Sequence, residues 1–515
     1  MGMVVQHNMQ AMNANRQLGT TSGLQAKSAE KLSSGYKINR AGDDAAGLKI
    51  SEKMRSQIRG LDKASDNASD GVSLIQTAEG ALNETHSILQ RMNELAVQAA
   101  NGTNSKDTDR KAIQDEIDQL NTEIDRVAET TKFNEIYLLK GDDGEKTVNM
   151  NAHDAGLKGT LTDNGDGTAT FTMKELNDGD TVSIGGKNYT IGSKEADAKA
   201  LIEAPANGDP DKTFTIGDKT FKVKANGDVC DKDGNKLYVK TAGGATAAEA
   251  FDTSKELTTD STFKNNANTD TANTAVTVAN LKDYVKGGVK VSDGTTTMTV
   301  LTDAKDASGA TGADGVDDND TSVITKQKAY ELAGKELLAA NQIGDTEGHA
   351  SVTNGDGTGL AFNAGNGTFK INVGQAKVAN TLSFSLHVGA DADMTNKITV
   401  DIDTMNSANL GIKGLNVTDK NGSAATYAID AISDAISKVS SQRSALGAVQ
   451  NRLEHTIDNL DNISENTSSA ESRIRDTDMA KEMVNYSKNN ILAQAGQSML
   501  AQANQSNQGV LSLLQ

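Results

Sequence analysis

Apolar residues recur at alternating steps of about three and four along a long stretch near the beginning of the chain. The stretch contains Met54, Ile58, Leu61, Ala68, Val72, Ile75, Leu82, Leu89 and Ala96. This period is typical of a helix with one narrow apolar seam of the coiled-coil kind. The Gly- and Asn-containing segment 99–109 then predicts a turn. A second helix is predicted after it from Ile113, Ile117, Leu120, Ile124 and Val127.

A matching seam lies near the other end of the chain. Its positions are Ile429, Ile432, Ile436, Val439, Leu446, Leu453, Ile457, Leu460, Ala470 and Ile474. Each seam is too narrow to form a core alone, so we expect the first hundred residues to pack against the last hundred in one helical bundle. The alternative is that each helix belongs to a separate dimeric coiled coil.

The two extremities carry the same period without charge. Residues 489–515 contain no charged side chain, and Leu492, Ala495, Met499, Ala503, Val510 and Leu514 form an apolar stripe among Asn, Gln and Ser. The segment is too polar to cross a membrane. Its expected partner is the opening helix, with Val4, Ala11, Ala14 and Leu18 in the seam and Leu32 near the helix end. Because such helices are unstable alone, we expect copies of the chain to complete them.

The middle of the chain predicts β-structure with tight turns. Residues 213–224 alternate apolar and polar positions around Gly217 and Asp218, and residues 182–191 do so around Gly185 and Gly186, which are hairpin patterns. Turn residues in 163–171 and 353–362 precede expected strands, and a helix is expected near 324–342. The predicted fold class is a mainly α, coiled-coil-like bundle of N- and C-terminal segments with a β-rich inserted outer region.

Composition and charge exclude several functions. The formal net charge of −19 argues against nucleic-acid binding, and one cysteine, Cys230, cannot form an internal disulfide. The segment 231–235 lacks the later glycine and glutamate of a calcium loop, and the histidines occur singly, without an HExxH pair. We therefore expect no catalytic site, no metal and no cofactor. The opening residues lack a secretory signal, so the chain is expected either to stay in the cytoplasm or to leave by another route.

Several long segments carry a resemblance to bacterial flagellin. They are LSSGYKINRAGDDAAGLKISEKMRSQIRGL (32–61), QRMNELAVQAANGT (90–103), FNEIYLL (133–139), GADADMTNKITVDIDTMNSANLGIKGLNV (389–417), SRIRDTDMAKEM (472–483) and the stretch from Ile491 to Gln515. They occur in the family's order and cover about half of the chain. The resemblance implies a self-assembling filament subunit for motility, located in the extracellular flagellum.

The resemblance also implies a layered domain organisation and a set of partners. Residues 1–44 and 477–515 would form the inner filament core, 45–142 and 385–476 the coiled-coil bundle with a return β segment, and 143–384 a variable, β-rich, surface-exposed insertion. The expected partners are copies of the chain, a flagellar export chaperone, and the filament cap and hook-associated proteins. Export would occur in unfolded form through the flagellar type III apparatus.

The family is also recognised by Toll-like receptor 5, and the matching positions here are Arg91, Leu95 and Glu116. As ordinary helix residues, Arg91 and Glu116 would be solvated charges and Leu95 a packing residue. Three alternatives to the major filament subunit stay open at this point. They are a hook-filament junction protein, an enzyme carried in the insertion, and an insertion that acts as an adhesive, glycan-bearing or immune-evading display module.

Overall fold

The computed structural model describes residues 8–105, 108–305, 312–360, 367–419 and 422–513. The chain divides into two compact units. The first comprises Met1–Glu79, Ser383–Asp401 and Ser444–Gln515, and the second comprises Gly80–Leu382 and Ile402–Arg443.

The helices follow the predicted apolar periods. They are α1 (Met9–Ser34), α2 (Ala45–Ala100), α3 (Asp109–Thr130), α4 (Glu195–Leu201), α5 (Val278–Lys282), α6 (Lys326–Asn341), α7 (Ser407–Leu410), α8 (Ser423–Arg475) and α9 (Met479–Leu513). The helices expected over 54–96, 113–127, 324–342 and 429–474 are therefore confirmed, with α2 and α8 extending beyond the predicted stretches. Helices α4 and α5 were not predicted, because two turns or fewer are too short to establish a period.

The strands are short and lie between α3 and α8. They are β1 (Lys132–Phe133), β2 (Ile136–Tyr137), β3 (Asp142–Asn149), β4 (Gly159–Asp163), β5 (Thr168–Met173), β6 (Thr181–Ile184), β7 (Lys187–Gly192), β8 (Lys212–Ile216), β9 (Lys219–Val223), β10 (Val229–Cys230), β11 (Tyr238–Val239), β12 (Leu257–Thr258), β13 (Thr262–Lys264), β14 (Asp270–Ala272), β15 (Lys290–Ser292), β16 (Thr297–Thr299), β17 (Val323–Thr325), β18 (Ser351–Asn354), β19 (Thr368–Asn372), β20 (Gln375–Asn380), β21 (Leu382–His387) and β22 (Lys397–Ile402).

In the first unit, α2 packs directly on α8. Ser65 Oγ lies 3.0 Å from Asp461 Oδ1, and Ser464 Oγ donates to Asp62 Oδ1 over 2.8 Å. Leu61, Ala64 and Leu460 are buried between the two helices. The predicted bundle of N- and C-terminal segments is therefore confirmed, and the helices do not need separate dimeric partners for these seams.

The β21–β22 hairpin lies against α2 at two glycines. A Cβ atom added to Gly71 would stand 2.2 Å from Leu386 Cδ1, and one added to Gly60 would stand 3.0 Å from Ala390 Cβ. Since real Cβ contacts are longer, the hairpin can approach the helix this closely only because these positions lack side chains.

The second unit contains the β-rich region, in small sheets around two cores. Strands in the order β18-β19-β5-β4 pack with α6, and β17-β7-β6 adjoin the same core, with β17 parallel to β7. The five-stranded sheet β10-β9-β8-β15-β16 has its own core, which includes Phe214, Phe221 and Val291. The remaining pairs in this unit are β1-β2, β3-β20, β11-β12 and β13-β14.

Both predicted hairpins are confirmed. Phe214 of β8 pairs with Phe221 of β9, and Val182 of β6 pairs with Tyr189 of β7. The turn near 163–171 is followed by β5, as expected. The turn in 353–362 instead follows β18, and residues 358–360 are not in a strand, while 361–366 lie outside the described residues. The strand expected directly after that turn is therefore wrong for its described part; the next strand, β19, begins at Thr368.

Candidate assembly surface

Helices α1 and α9 form an antiparallel pair. Asn8 Nδ2 donates to the carbonyl oxygen of Ala503 over 3.1 Å, and a Cβ atom added to Gly496 would meet Leu18 Cδ1 at 3.4 Å. Asn8 also caps α1, because its Oδ1 accepts from the Ala11 backbone N–H at 2.9 Å. Gly35 ends α1 in a left-handed conformation with φ of 76°. The pairing expected between the two extremities is confirmed.

The face of α9 that meets α1 differs from the predicted one by a single position. Ala493, Gly496, Leu500 and Ala503 are the partly buried residues here, whereas Leu492, Ala495 and Met499 are exposed. Among the residues of the predicted stripe whose side chains the structure describes, Ala503 is the one that lies in the seam. Two stripes with the same period overlap in this sequence, and Gly496 of the second stripe lies next to Leu18.

Most of the larger apolar side chains of the pair face away from it. Among described side chains, nine of the fifteen large apolar residues that are exposed lie on α1 or α9: Met9, Met12, Leu24, Met479, Met483, Val484, Ile491, Leu492 and Met499. No apolar side chain described on these two helices is buried; Ser28 is the buried residue that α1 contributes. Leu492 is 47% exposed and Met499 62% exposed. The pair therefore presents most of its large apolar side chains to solvent, where neighbouring molecules can cover them.

The other predicted assembly residues divide into two groups. Ala11, Leu18 and Leu32 are half-buried on α1. Val4 and Leu514 lie outside the described residues, and Val510 belongs to α9, but its side chain also lies outside what the structure describes. A groove of about 650 Å³ runs between the two helices, with Gln10, Gln17, Met499 and Gln502 along its walls.

The residues that match the receptor site lie on α2 and α3, in the second unit. Arg91 Nη2 and Nε lie 2.9 Å and 3.0 Å from Glu116 Oε1, and Arg91 Nη1 lies 3.2 Å from Glu94 Oε2. These hydrogen bonds, to Glu116 first and then to Glu94, raise the pKa of Arg91 above its ordinary value. Arg91 and Glu116 are exposed, but Leu95 is only 2% exposed and belongs to the core. In this structure Leu95 is therefore a buried packing residue of α2, and Arg91 and Glu116 form the exposed part of the matching positions.

A buried arginine, which the sequence analysis missed, ties three segments of the second unit together. Arg110 is 1% exposed, and its Nε, Nη1 and Nη2 donate to the carbonyl oxygens of Ala99 (2.8 Å), Asp419 (2.9 Å) and Asn101 (3.3 Å). It therefore binds the C-terminal end of α2 and the segment that leads into α8. The sequence did contain one signal for this role. Arg110 lies in the first turn of α3, where the helix dipole disfavours a positive charge, so its position needs another explanation.

The described residues offer little that points to other chemistry. No group of three or more His, Cys, Asp or Glu among them could hold a metal ion. Cys230 is buried within its sheet. In the described part of the chain, none of the helices combines the length and the apolar character that a membrane crossing requires.

Two long bundle helices, a β-rich insertion and a terminal helix pair that exposes its apolar side chains define a structural protein built for association. The comparisons with known proteins give the family. Residues 5–143 match the bacterial flagellin N-terminal helical region, and residues 429–514 match the C-terminal helical region. The chain belongs to the bacterial flagellin family, and it is a structural subunit of the extracellular flagellar filament.

Similar proteins cover the whole chain. Flagellin of Clostridium tyrobutyricum is 37% identical over 98% of this chain and 100% of its own length. Flagellin B of Vibrio anguillarum is 34% identical, and polar flagellin A of Vibrio parahaemolyticus is 33% identical, each over 100% of both chains. The solved structure of FliC from Burkholderia pseudomallei is 17% identical, covers 74% of this chain and 99% of its own, and has a TM-score of 0.25, a similarity too low for any conclusion.

Proposed function

We propose that α1 and α9 are the surfaces through which neighbouring subunits join in the filament. The observation that carries this proposal is the outward stripe of Ile491, Leu492 and Met499 on a helix pair without a buried apolar side chain among its described residues. Covering such side chains gains about 1.5–3 kcal/mol each. The absence of charge over 489–515 also avoids like-charge repulsion when many copies bring this segment together. Val4, Val510 and Leu514 belong to the same proposal.

The layered organisation of the subunit is part of the same proposal. Residues 1–44 and 477–515 form the inner core, 45–142 and 385–476 form the next shell, and 143–384 face the solvent. The boundary between residues 142 and 143 is supported by strand β3, which begins at Asp142, directly after the β1–β2 hairpin. The acidic, β-rich character of the insertion suits a solvent-facing position.

The assembly route includes export in unfolded form through the flagellar type III apparatus, with an export chaperone bound to α9 beforehand. Addition takes place beneath the filament cap, and hook-associated proteins adjoin the finished filament. The support is the family membership together with terminal helices that have little packing of their own to lose during transport. Full-length similarity to named flagellins favours the major subunit over a junction protein.

Deleting residues 489–515 tests the assembly surface. We expect the truncated chain to keep the melting temperature of its bundle, because the buried apolar residues all precede the deletion among described positions. It should form no filaments in electron micrographs under conditions in which the full chain polymerises. Filaments of normal diameter and length from the truncated chain would contradict the proposal.

We further propose that the subunit is a ligand of Toll-like receptor 5 through Arg91 and Glu116, with Leu95 packed beneath. Replacing Arg91 with Ala should raise the monomer concentration needed to activate reporter cells that express the receptor. Arg126→Ala is the matched control, since Arg126 forms a similar exposed ion pair with Glu123 on α3. Equal activity of wild type, R91A and R126A would exclude Arg91 as a contact.

A further inference from the structure

The two connections that lead into the terminal helices lie side by side. We call them the helix junction: residues 35–44, which join α1 to α2, and residues 476–478, which join α8 to α9. Tyr36 and Asp476 form an antiparallel bridge. The Lys37 N–H donates to the Arg475 carbonyl over 2.6 Å, and the Thr477 N–H donates to the Gly35 carbonyl over 2.9 Å. Each connection thus holds the other through its backbone.

The Tyr36 ring adds a side-chain contact to this backbone bridge. The guanidinium carbon of Arg475 lies 5.0 Å from the ring centroid, and that of Arg55 lies 6.0 Å from it. The Arg475 side chain is only 13% exposed and lies 3.4 Å from Glu52 Oε1. Arg55 is 3.8 Å from Glu471, whose side chain is also 13% exposed. Because the arginines come from α8 and α2, the bundle helices hold a ring that belongs to the junction, through contacts that planar guanidinium groups make well.

The junction is anchored on its other side as well. Ile38 is 2% exposed, and a Cβ atom added to Gly47 would approach Ile38 Cδ1 to 2.8 Å. Asp43 Oδ2 accepts from the backbone N–H groups of Asn39 (3.2 Å) and Arg40 (3.0 Å), which closes the turn between them. The junction is thus held by burial and by backbone hydrogen bonds, in contrast to the thinly packed helices that leave it.

This contrast assigns a role to Tyr36. Helices α1 and α9 contribute no buried apolar side chain among their described residues, so their own packing holds their direction only weakly. We infer that Tyr36, clamped by Arg475, is a positioning residue for assembly: it fixes the direction in which the terminal helix pair leaves the bundle, so that an incoming subunit finds it in place. The inference rests on the proposed assembly surface. Without the clamp, the pair would leave the bundle in a wider range of directions, and narrowing that range at each addition step would weaken polymerisation.

The test compares Tyr36→Leu with Tyr36→Phe in the full-length chain. Leu keeps an apolar side chain but removes the aromatic face, whereas Phe keeps the face and removes only the hydroxyl. We expect Tyr36→Leu to raise the critical concentration for seeded polymerisation about ten-fold, which corresponds to about 1.4 kcal/mol per added subunit. Tyr36→Phe should polymerise like the wild type. The thermal unfolding of the monomeric bundle should be the same in all three proteins.

Each outcome bears on a different claim. If Tyr36→Leu polymerises at the same critical concentration as the wild type, and the wild type forms normal filaments, the role of Tyr36 is overturned. The proposed assembly surface is then unaffected. A lower melting temperature of the Tyr36→Leu bundle that accounts for its poorer assembly also overturns it, because the residue would then be merely structural. If the wild-type chain forms filaments no better than the chain lacking 489–515, the proposed assembly surface fails and this inference fails with it. Arg475→Gln should repeat the effect of Tyr36→Leu.

Discussion

The bundle helices and the terminal helices share one sequence period but use it differently. Helices α2 and α8 bury Leu82, Leu89, Leu446 and Leu453 almost completely, while no described apolar side chain of α1 or α9 is buried. Helix period therefore identifies a seam without indicating what covers it. In the bundle the cover is the same chain, and at the extremities we propose that it is a neighbouring copy.

The inward faces of the two helix pairs explain the difference. Large side chains such as Leu453 fill the space between α2 and α8. In the α1–α9 contact Leu18 and Leu500 are only partly buried, beside the small residues Ala493 and Gly496. Small and polar contacts bury little apolar area, and stability follows that area. We therefore expect substitutions in the bundle to lower the stability of the monomer, and substitutions on the terminal pair to affect assembly instead.

The largest effect on the monomer should come from Arg110→Met. The change removes the donors to three backbone carbonyls at the end of α2 and the start of α8, among them the carbonyl of Ala99, which is buried. We expect the free energy of unfolding to fall by about 3–5 kcal/mol, measured by chemical denaturation of the monomer. Arg110→Lys, which retains the charge but not the planar fork, should fall between wild type and Arg110→Met. If the free energy of unfolding fell no more than it does for an ordinary surface substitution, the end of α2, the start of α3 and the segment before α8 would hold together without Arg110.

A slightly smaller loss is expected for Leu89→Ala in α2. Leu89 is fully buried, so the truncation leaves a cavity and should cost about 3 kcal/mol in the same denaturation experiment. Val97→Ala on the same helix is the matched control, because Val97 is 54% exposed and should change the free energy by less than about 0.5 kcal/mol. Equal losses at the two positions would mean that the α2 seam is not the core of the monomer.

The sequence predicted the long helices, their bundle and two hairpins, because these depend on periods and turn residues that neighbouring positions encode. It did not determine which of two overlapping stripes on α9 meets α1, since residues 492, 495 and 499 have the same spacing as 493, 496 and 500. Only the approach of Leu18 to Gly496 separates them. Arg110 was missed because its carbonyl partners lie 9, 11 and 309 positions away in the chain, none of them at the helix spacing of three or four. Long-range contacts of this kind leave no local pattern.

The smallest effect on the monomer, and the most informative one for assembly, should come from replacing both Leu492 and Met499 with Gln. Both side chains are about half exposed or more, so the monomer's free energy of unfolding should change by less than about 0.5 kcal/mol. Polymerisation should need a much higher subunit concentration, because two apolar contacts with neighbours are lost. Gln494→Ala together with Gln497→Ala alters exposed polar positions of the same helix and serves as the control. If replacing Leu492 and Met499 with Gln instead unfolded the monomer and spared the filament, α9 would stabilise its own chain. The distinction between the bundle helices and the terminal helices would then disappear.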